Sequence, residues 1–139
     1  MQKYYLDACI WIDYFENRKD RFRPLGEWAL DLIKKIIEDD ALILYSELVE
    51  EELSTRYSPR EISAILNIVP SEKLVKAEIS DGQIRESMHI SKQSNIPKKD
   101  ALHAILARDN NAVLVTRDKH FQELQKSNII KKPEEINLD

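Results

Sequence analysis

The sequence predicts an α/β fold: a single domain over residues 1–139, built as a three-layer α/β/α sandwich around a mainly parallel central sheet. Two observations predict it. Short strand-like apolar runs alternate with segments whose apolar residues recur every three or four positions. Such alternation implies parallel pairing through right-handed crossovers, with helices on both faces of the sheet. Two of those runs are also followed closely by an aspartate, Asp7 and Asp118. In open α/β sheets the site lies beyond the carboxyl ends of the strands, a placement no helical bundle would explain.

Taken in order, Gln2-Lys3-Tyr4-Tyr5-Leu6 reads as the first strand, and Cys9 to Phe15 as a short, largely apolar and therefore buried helix. Leu25, Trp28, Ala29, Leu32, Ile33, Ile36 and Ile37 trace an amphipathic helix with Lys34, Lys35 and Glu38 on its wet side. Ala41-Leu42-Ile43-Leu44-Tyr45 is a second buried strand, and Ser46 caps a helix carrying Leu48, Val49, Glu52 and Leu53. Ser58-Pro59-Arg60-Glu61 combines a capping serine, proline at the first helical position and glutamate three residues after the cap, which starts a helix through Leu66.

A weaker strand falls within residues 74–79. Ser80-Asp81-Gly82-Gln83 repeats the capping-box logic ahead of a helix with Ile84, Met88 and Ile90 as its apolar members. Pro97 opens the next helix, with Ala101, Leu102, Ile105 and Leu106 on its apolar side. The strand Ala112-Val113-Leu114-Val115 follows, then a short helix over 121–124, an edge strand at Ile129-Ile130 and a polar tail.

Composition narrows the function classes. The chain is 42% hydrophobic and 33% charged, which suits one core, and it has only 2 glycines and 5 prolines, so no linker or low-complexity segment stands out. Its apolar runs are far too short to span a membrane, and the amino terminus enters a strand without signal-peptide architecture. The single cysteine, Cys9, cannot form an intramolecular disulfide, so a cytoplasmic location is the expectation. A net charge of −4 argues against gripping nucleic acid by bulk electrostatics, but leaves room for a local basic patch beside a metal-neutralised acidic site.

Four acids carry the functional expectation: Asp7, Glu52, Asp100 and Asp118. Brought together they would repel strongly unless they hold a hard cation. Each also has a structural reading. Asp7 serves as a helix cap, Asp100 complements a helix dipole, Asp118 starts a turn or caps a helix, and Glu52 belongs to the solvated Glu50-Glu51-Glu52 run.

The stretch Tyr5-Leu6-Asp7-Ala8-Cys9-Ile10-Trp11-Ile12-Asp13-Tyr14-Phe15-Glu16 resembles the opening of PIN-domain nucleases, particularly the VapC toxins of VapBC toxin–antitoxin systems. Ser46 to Leu53 is similar to that family's second acidic motif, where a capping serine is followed six residues later by Glu-Leu; this selects Glu52. Lys99-Asp100-Ala101-Leu102-His103-Ala104 and Val113-Leu114-Val115-Thr116-Arg117-Asp118-Lys119-His120-Phe121 resemble the third and fourth. One departure stands out: Ala8 and Cys9 occupy positions where PIN sequences often carry Thr or Ser and another polar residue.

The resemblance implies a PIN-like fold and a divalent-metal-dependent endoribonuclease hydrolysing RNA phosphodiester bonds, the toxin of a type II toxin–antitoxin pair. The ligands on offer are oxygens and no His/Cys cluster has zinc spacing, which favours Mg²⁺ or Mn²⁺. Asp7, Asp100 and Asp118 are expected around the metal, with Glu52 as a further ligand or as the group orienting the attacking water. Thr116 offers a hydroxyl to water or phosphate, or simply forms a turn. His103 reads as an acid–base group or, more plainly, as a structural hydrogen-bonding residue. Cys9 reads as a small buried residue.

Arg18, Lys19, Arg21 and Arg23 surround Phe22 in a loop, a cluster suited to phosphate and to a stacked base, or else a solvated loop. Lys98, Lys99, Arg117 and Lys119 flank the acids and are further candidates to meet the RNA backbone. By the same resemblance the expected partners are an RNA substrate, a cognate antitoxin and a second copy in a homodimer, with no membrane. The helix Leu25–Glu38 and residues 56–66 are candidate partner surfaces, or ordinary core. A catalytically weak or inactive PIN-like module that binds RNA or another protein is the alternative. A phosphatase of the haloacid dehalogenase type would want Asp-x-Asp after strand one, where this chain has Asp7-Ala8-Cys9. A receiver domain would want a phosphoacceptor after its third strand, and none is evident.

Overall fold

The computed structural model describes residues 1–125 and 128–137. Among these residues five strands, β1 (Gln2–Leu6), β2 (Ala41–Ser46), β3 (Leu74–Ala77), β4 (Val113–Val115) and β5 (Ile130–Lys131), form one sheet in the order β3-β2-β1-β4-β5. Every pairing is parallel, so the sheet is wholly rather than mainly parallel. The three strands at its centre are the most apolar. Tyr5, Leu6, Ile43, Leu44, Leu114 and Val115 are each at most 1% exposed, as expected where helices cover both faces.

Among the described residues, seven α-helices connect and cover the strands: α1 (Ala8–Glu16), α2 (Leu25–Glu38), α3 (Glu47–Ser54), α4 (Pro59–Leu66), α5 (Asp81–Ser94), α6 (Lys98–Asp109) and α7 (Pro133–Asn137). The local start signals act as expected. The Ser46 hydroxyl accepts from the Val49 amide, and Ser58 and Ser80 each form a complete capping box with Glu61 and Gln83. Helix α2 buries Ala29, Leu32, Ile33 and Ile36 along the predicted stripe.

Four local expectations need correction. Ile84 and Met88 are 42% and 40% exposed, and Ser87 is the residue that α5 buries, because Ile84 and Met88 lie on its solvent side. The last strand is shifted one residue, to Ile130 and Lys131, by its register with Leu114 and Val115. The segment after Asp118 is a 3₁₀ helix, Lys119–Leu124. The polar tail contains α7, which docks on α2: Lys35 Nζ donates to the Ile136 carbonyl and Asn137 Nδ2 to the Trp28 carbonyl, both at 3.0 Å. The tail's polarity hid a helix whose anchors, Pro133 and Ile136, are buried.

Register positions the site. Leu6 of β1 lies opposite Val115 of β4, and Tyr5 opposite Leu44 of β2, so these three strands reach their carboxyl ends at one edge. Asp7 continues from that edge, its amide donating to the Val115 carbonyl at 3.0 Å. Helix α6 runs back toward the start of β4 and therefore has its amino end, with Asp100, on the same side.

Candidate active site

Asp7, Glu52, Asp100 and Asp118 all line one open cleft at the carboxyl edge of the sheet, with Ala8, Cys9, Ile12, Arg18, Thr55, Arg56, Lys99 and Arg117. The cap readings and the cluster reading turn out to be compatible. Asp7 is the N-cap of α1, accepting from the Ala8 amide through Oδ1 at 2.7 Å, while its Oδ2 accepts from the Thr116 hydroxyl at 2.9 Å. Asp118 caps the 3₁₀ helix, its Oδ1 accepting from the His120 amide at 2.9 Å. Thr116, only 3% exposed, ties the two together, because its Oγ1 also accepts from the Asp118 amide at 3.1 Å.

Cys9 is only partly buried and stands closer to the chemistry than a small core residue would. Its thiol donates to Asp7 Oδ2 at 3.5 Å and approaches Thr116 Oγ1 at 3.9 Å. Burial, and then the Asp7 charge, push its pKa well up, which keeps it a protonated donor. Thus a thiol supplies part of the polar contact that a hydroxyl or amide side chain at this position would make.

Glu52 separates itself from its neighbours by geometry. Glu51 is exposed and Glu50 pairs with Lys76 at 2.6 Å, whereas Glu52 Oε1 meets His103 Nε2 at 2.5 Å. His103 is 1% exposed, and its Nδ1 lies 2.8 Å from the Tyr5 hydroxyl, itself 2.7 Å from Ser46 Oγ. Burial disfavours the imidazolium, but the Glu52 hydrogen bond and the Asp7 and Glu52 charges outweigh it and raise the His103 pKa. Neutral or charged, the ring must carry a proton on Nε2 to meet a carboxylate. Asp7, Glu52 and His103 can offer donor atoms within 4.8 Å of one another, as can Asp100, Asp118 and His120.

The second of these groups holds the Asp100 carboxyl. The Asp100 pKa is raised by burial, then by Asp118, with Asp7 adding to it; the hydrogen bond from His120 acts the other way. His120 Nδ1 stands 3.1 Å from Asp100 Oδ2 and 3.2 Å from Asp118 Oδ1. Four crowded carboxylates at a solvent-accessible edge fit a hard divalent cation, and each candidate group also holds one histidine nitrogen, from His103 or His120.

The basic residues divide into two kinds. Lys98, Lys99 and Lys119 are exposed and make no ion pair among the described residues. Arg117 is committed instead to the fold: Nε to Asp13 Oδ2 at 3.3 Å, Nη2 to Glu134 Oε1 at 2.8 Å, with its guanidinium carbon 5.7 Å from the Trp28 ring centre. Arg18 pairs with Glu16 at 3.1 Å and Arg23 with Asp20, leaving Arg21 exposed between them. The sequence alone suggested no role for Tyr5, Asp13 or His120, and placed Arg56 only at the start of a candidate partner surface. For Asp13 the signal was present, a charged residue inside an otherwise apolar helix; for the others only tertiary contact reveals it.

The family profile described as PIN domain matches residues 4–127. The chain belongs to the PIN-domain family. PIN domains are in general nucleases. Several solved structures are similar in fold. VapBC2 from Rickettsia felis, solved bound to a DNA fragment from its promoter, superposes with a TM-score of 0.69 at 20% identity, covering 94% of this chain and 98% of that one. VapBC-1 from nontypeable Haemophilus influenzae gives 0.63 at 19% identity, over 96% and 99% of the two chains. FitAcB from Neisseria gonorrhoeae gives 0.60 at 14%, over 93% and 96%. At these identities the likeness is one of fold. No curated protein matches the sequence. Among the described residues of this PIN domain, no helix is long and apolar enough to cross a membrane.

Proposed function

We propose that this PIN domain is a divalent-metal-dependent endoribonuclease, acting as the toxin of a type II toxin–antitoxin pair in the cytoplasm. One observation carries the catalytic reading. Carboxylates from four separate elements line one cleft, where burial and neighbouring acids raise the Asp100 pKa. A fold gains nothing from such crowding unless a cation relieves it.

Asp7, Asp100 and Asp118 would hold Mg²⁺ or Mn²⁺, which supplies Lewis-acid activation of water and charge neutralisation at the phosphate when bound. The chain's own residues do the positioning. Thr116 holds the Asp7 carboxylate through Oδ2 and fixes the loop bearing Asp118 through its backbone amide. Glu52, held by His103 Nε2 through Oε1, keeps Oε2 to orient water or serve as a further ligand. Exposed Lys98, Lys99 and Lys119 would receive the RNA backbone. The antitoxin proposal draws on similarity to the VapBC structures and the homodimer proposal on the family resemblance alone, with α2 and residues 56–66 as candidate surfaces.

The test compares cleavage of total RNA by wild type and Asp7→Asn in Mg²⁺, Mn²⁺ and EDTA. Cleavage by wild type that requires metal and disappears in Asp7→Asn is expected; equal, EDTA-resistant cleavage by both overturns the mechanism. RNA binding that persists in EDTA, with no cleavage in either metal, would instead select the non-catalytic module.

A further inference from the structure

Between α1 and α2 the chain holds an aromatic ring in solvent. Phe22 is 97% exposed, more than any other large apolar side chain in the described residues. Asp20 and Arg23 exchange backbone hydrogen bonds in both directions, at 3.0 and 2.7 Å, as an isolated antiparallel bridge. Their side chains form an ion pair across the same turn, and Arg21 adopts a φ of 51°. A left-handed arginine is unfavourable, so the turn closes against a local cost. A merely solvated loop needs none of these devices to place a phenylalanine in water.

The turn stands beside the acidic cleft. Arg18, at its start, lines that cleft with the four acids, and Arg23, at its end, lines the adjoining pocket with Thr116, Asp118 and Lys119. Four basic residues and one acid fall within residues 18–23 of a chain whose net charge is −4. Arg18 and Arg23 are used in ion pairs; Lys19 and Arg21, both exposed and close to Phe22 in sequence, have none among the described residues. A lone aromatic ring set among cations suits a polyanion that carries flat bases. A protein partner would call for a contiguous apolar patch.

We propose that Phe22 is a base-stacking platform: an unpaired nucleobase of the RNA, flanking the cleaved phosphate, packs on its ring while Lys19 and Arg21 meet neighbouring phosphates. The assignment rests on the ribonuclease reading. Stacking accepts any base, so this subsite supplies affinity and register along the strand, and leaves sequence choice to other contacts.

The test measures fluorescence anisotropy of a labelled single-stranded RNA of about 12 nucleotides with the full chain in Mg²⁺. An Asp7→Asn background prevents cleavage. Because the side chain is exposed, Phe22→Ala leaves the core untouched. It should raise Kd about 5- to 100-fold, with Phe22→Leu nearly as weak and Phe22→Trp retaining or improving affinity. A strand of abasic ribose phosphates should bind all four proteins alike. An unchanged Kd for Phe22→Ala, an equal loss on the abasic strand, or no measurable RNA binding overturns the platform. So does a shift in sedimentation without a change in RNA affinity, which would mark the turn as a protein interface. Asp7-dependent cleavage of total RNA with Phe22-independent binding sinks the platform alone. Phe22-dependent binding without any cleavage sinks the ribonuclease reading alone.

Discussion

His103 Nε2 meets Glu52 Oε1 at 2.5 Å, and this contact marks out one glutamate of three as part of the cleft. The imidazole is held from behind by the Tyr5 hydroxyl, so Glu52 is aimed by a chain of buried groups rooted in β1 and β2. His103→Ala should leave Glu52 and Tyr5 without this partner and cost about 1–3 kcal/mol of stability, read by urea denaturation. Cleavage should fall further than stability alone explains, and His103→Gln, which can still donate to Glu52, should recover part of it. Equal cleavage by wild type and His103→Ala at saturating metal would remove His103 from the site's support.

In the metal-free protein the cleft's own pH dependence has a definite sign. Both the Asp100 and His103 pKa values are raised in the folded protein. A raised group contributes stability below its unfolded pKa and loses it as pH rises through the folded value. In EDTA these two contributions should therefore decline from acidic toward neutral and alkaline pH. The lowered carboxyls of Glu16, Glu86, Asp109 and Glu134 act the other way, so the informative quantity is the difference between wild type and Asp100→Asn. Asp100→Asn removes one of the two groups, so it should match or exceed wild-type Tm at pH 7, with the gap closing in acid. Saturating Mg²⁺ should reverse that order, since only wild type gains the full binding free energy.

Cys9 and Thr116 grip the same carboxylate oxygen with unequal strength. Thr116→Val deletes the hydroxyl that serves both Asp7 and the Asp118 amide, and should cost about 1–3 kcal/mol and about tenfold in cleavage. The weak thiol contact matters less. Cys9→Ala should lower cleavage by about threefold, while Cys9→Ser, a better donor, should equal or exceed wild type. A steady-state assay on one RNA ranks the variants, and a Cys9→Ser protein weaker than Cys9→Ala would contradict the thiol's role as a donor.

Gly26 sits where α2 crosses the end of α1. A Cβ there would fall 2.5 Å from Asn17 Cα and 2.7 Å from the Asp13 carbonyl oxygen, both backbone atoms. Alanine would improve helix propensity by about 1 kcal/mol, yet forcing the helices apart costs about 1–3 kcal/mol or more. Gly26→Ala should be net destabilising by urea denaturation. A stabilised variant would mean that α2 moves freely on α1.

Much of the fold was legible because its signals are local. Ser46, Ser58 and Ser80 announce α3, α4 and α5 through side chains that bond within their own first turns. The continuous apolar runs of β1, β2 and β4 follow from burial on both faces. Helix α7 was missed because its anchors, Pro133 and Ile136, are buried by distant partners rather than by any periodicity of their own. Ile84 and Met88 misled in the opposite direction, since an apolar stripe shows what could be buried, not which side a neighbour covers.

By itself the sequence determined the parallel α/β class and the placement of Asp7 and Asp118 after strands, since strand period and crossover handedness leave few alternatives. It singled out Glu52 from three adjacent glutamates only through the family resemblance. Tertiary structure decided the rest. Strand register brought Thr116 against Asp7, packing set His103 behind Glu52, and the α1–α2 turn put Phe22 in solvent while its Arg18 and Arg23 line the cleft and the pocket adjoining it. Those relationships span as many as 109 residues of chain, and no local signal encodes a distance that only folding creates.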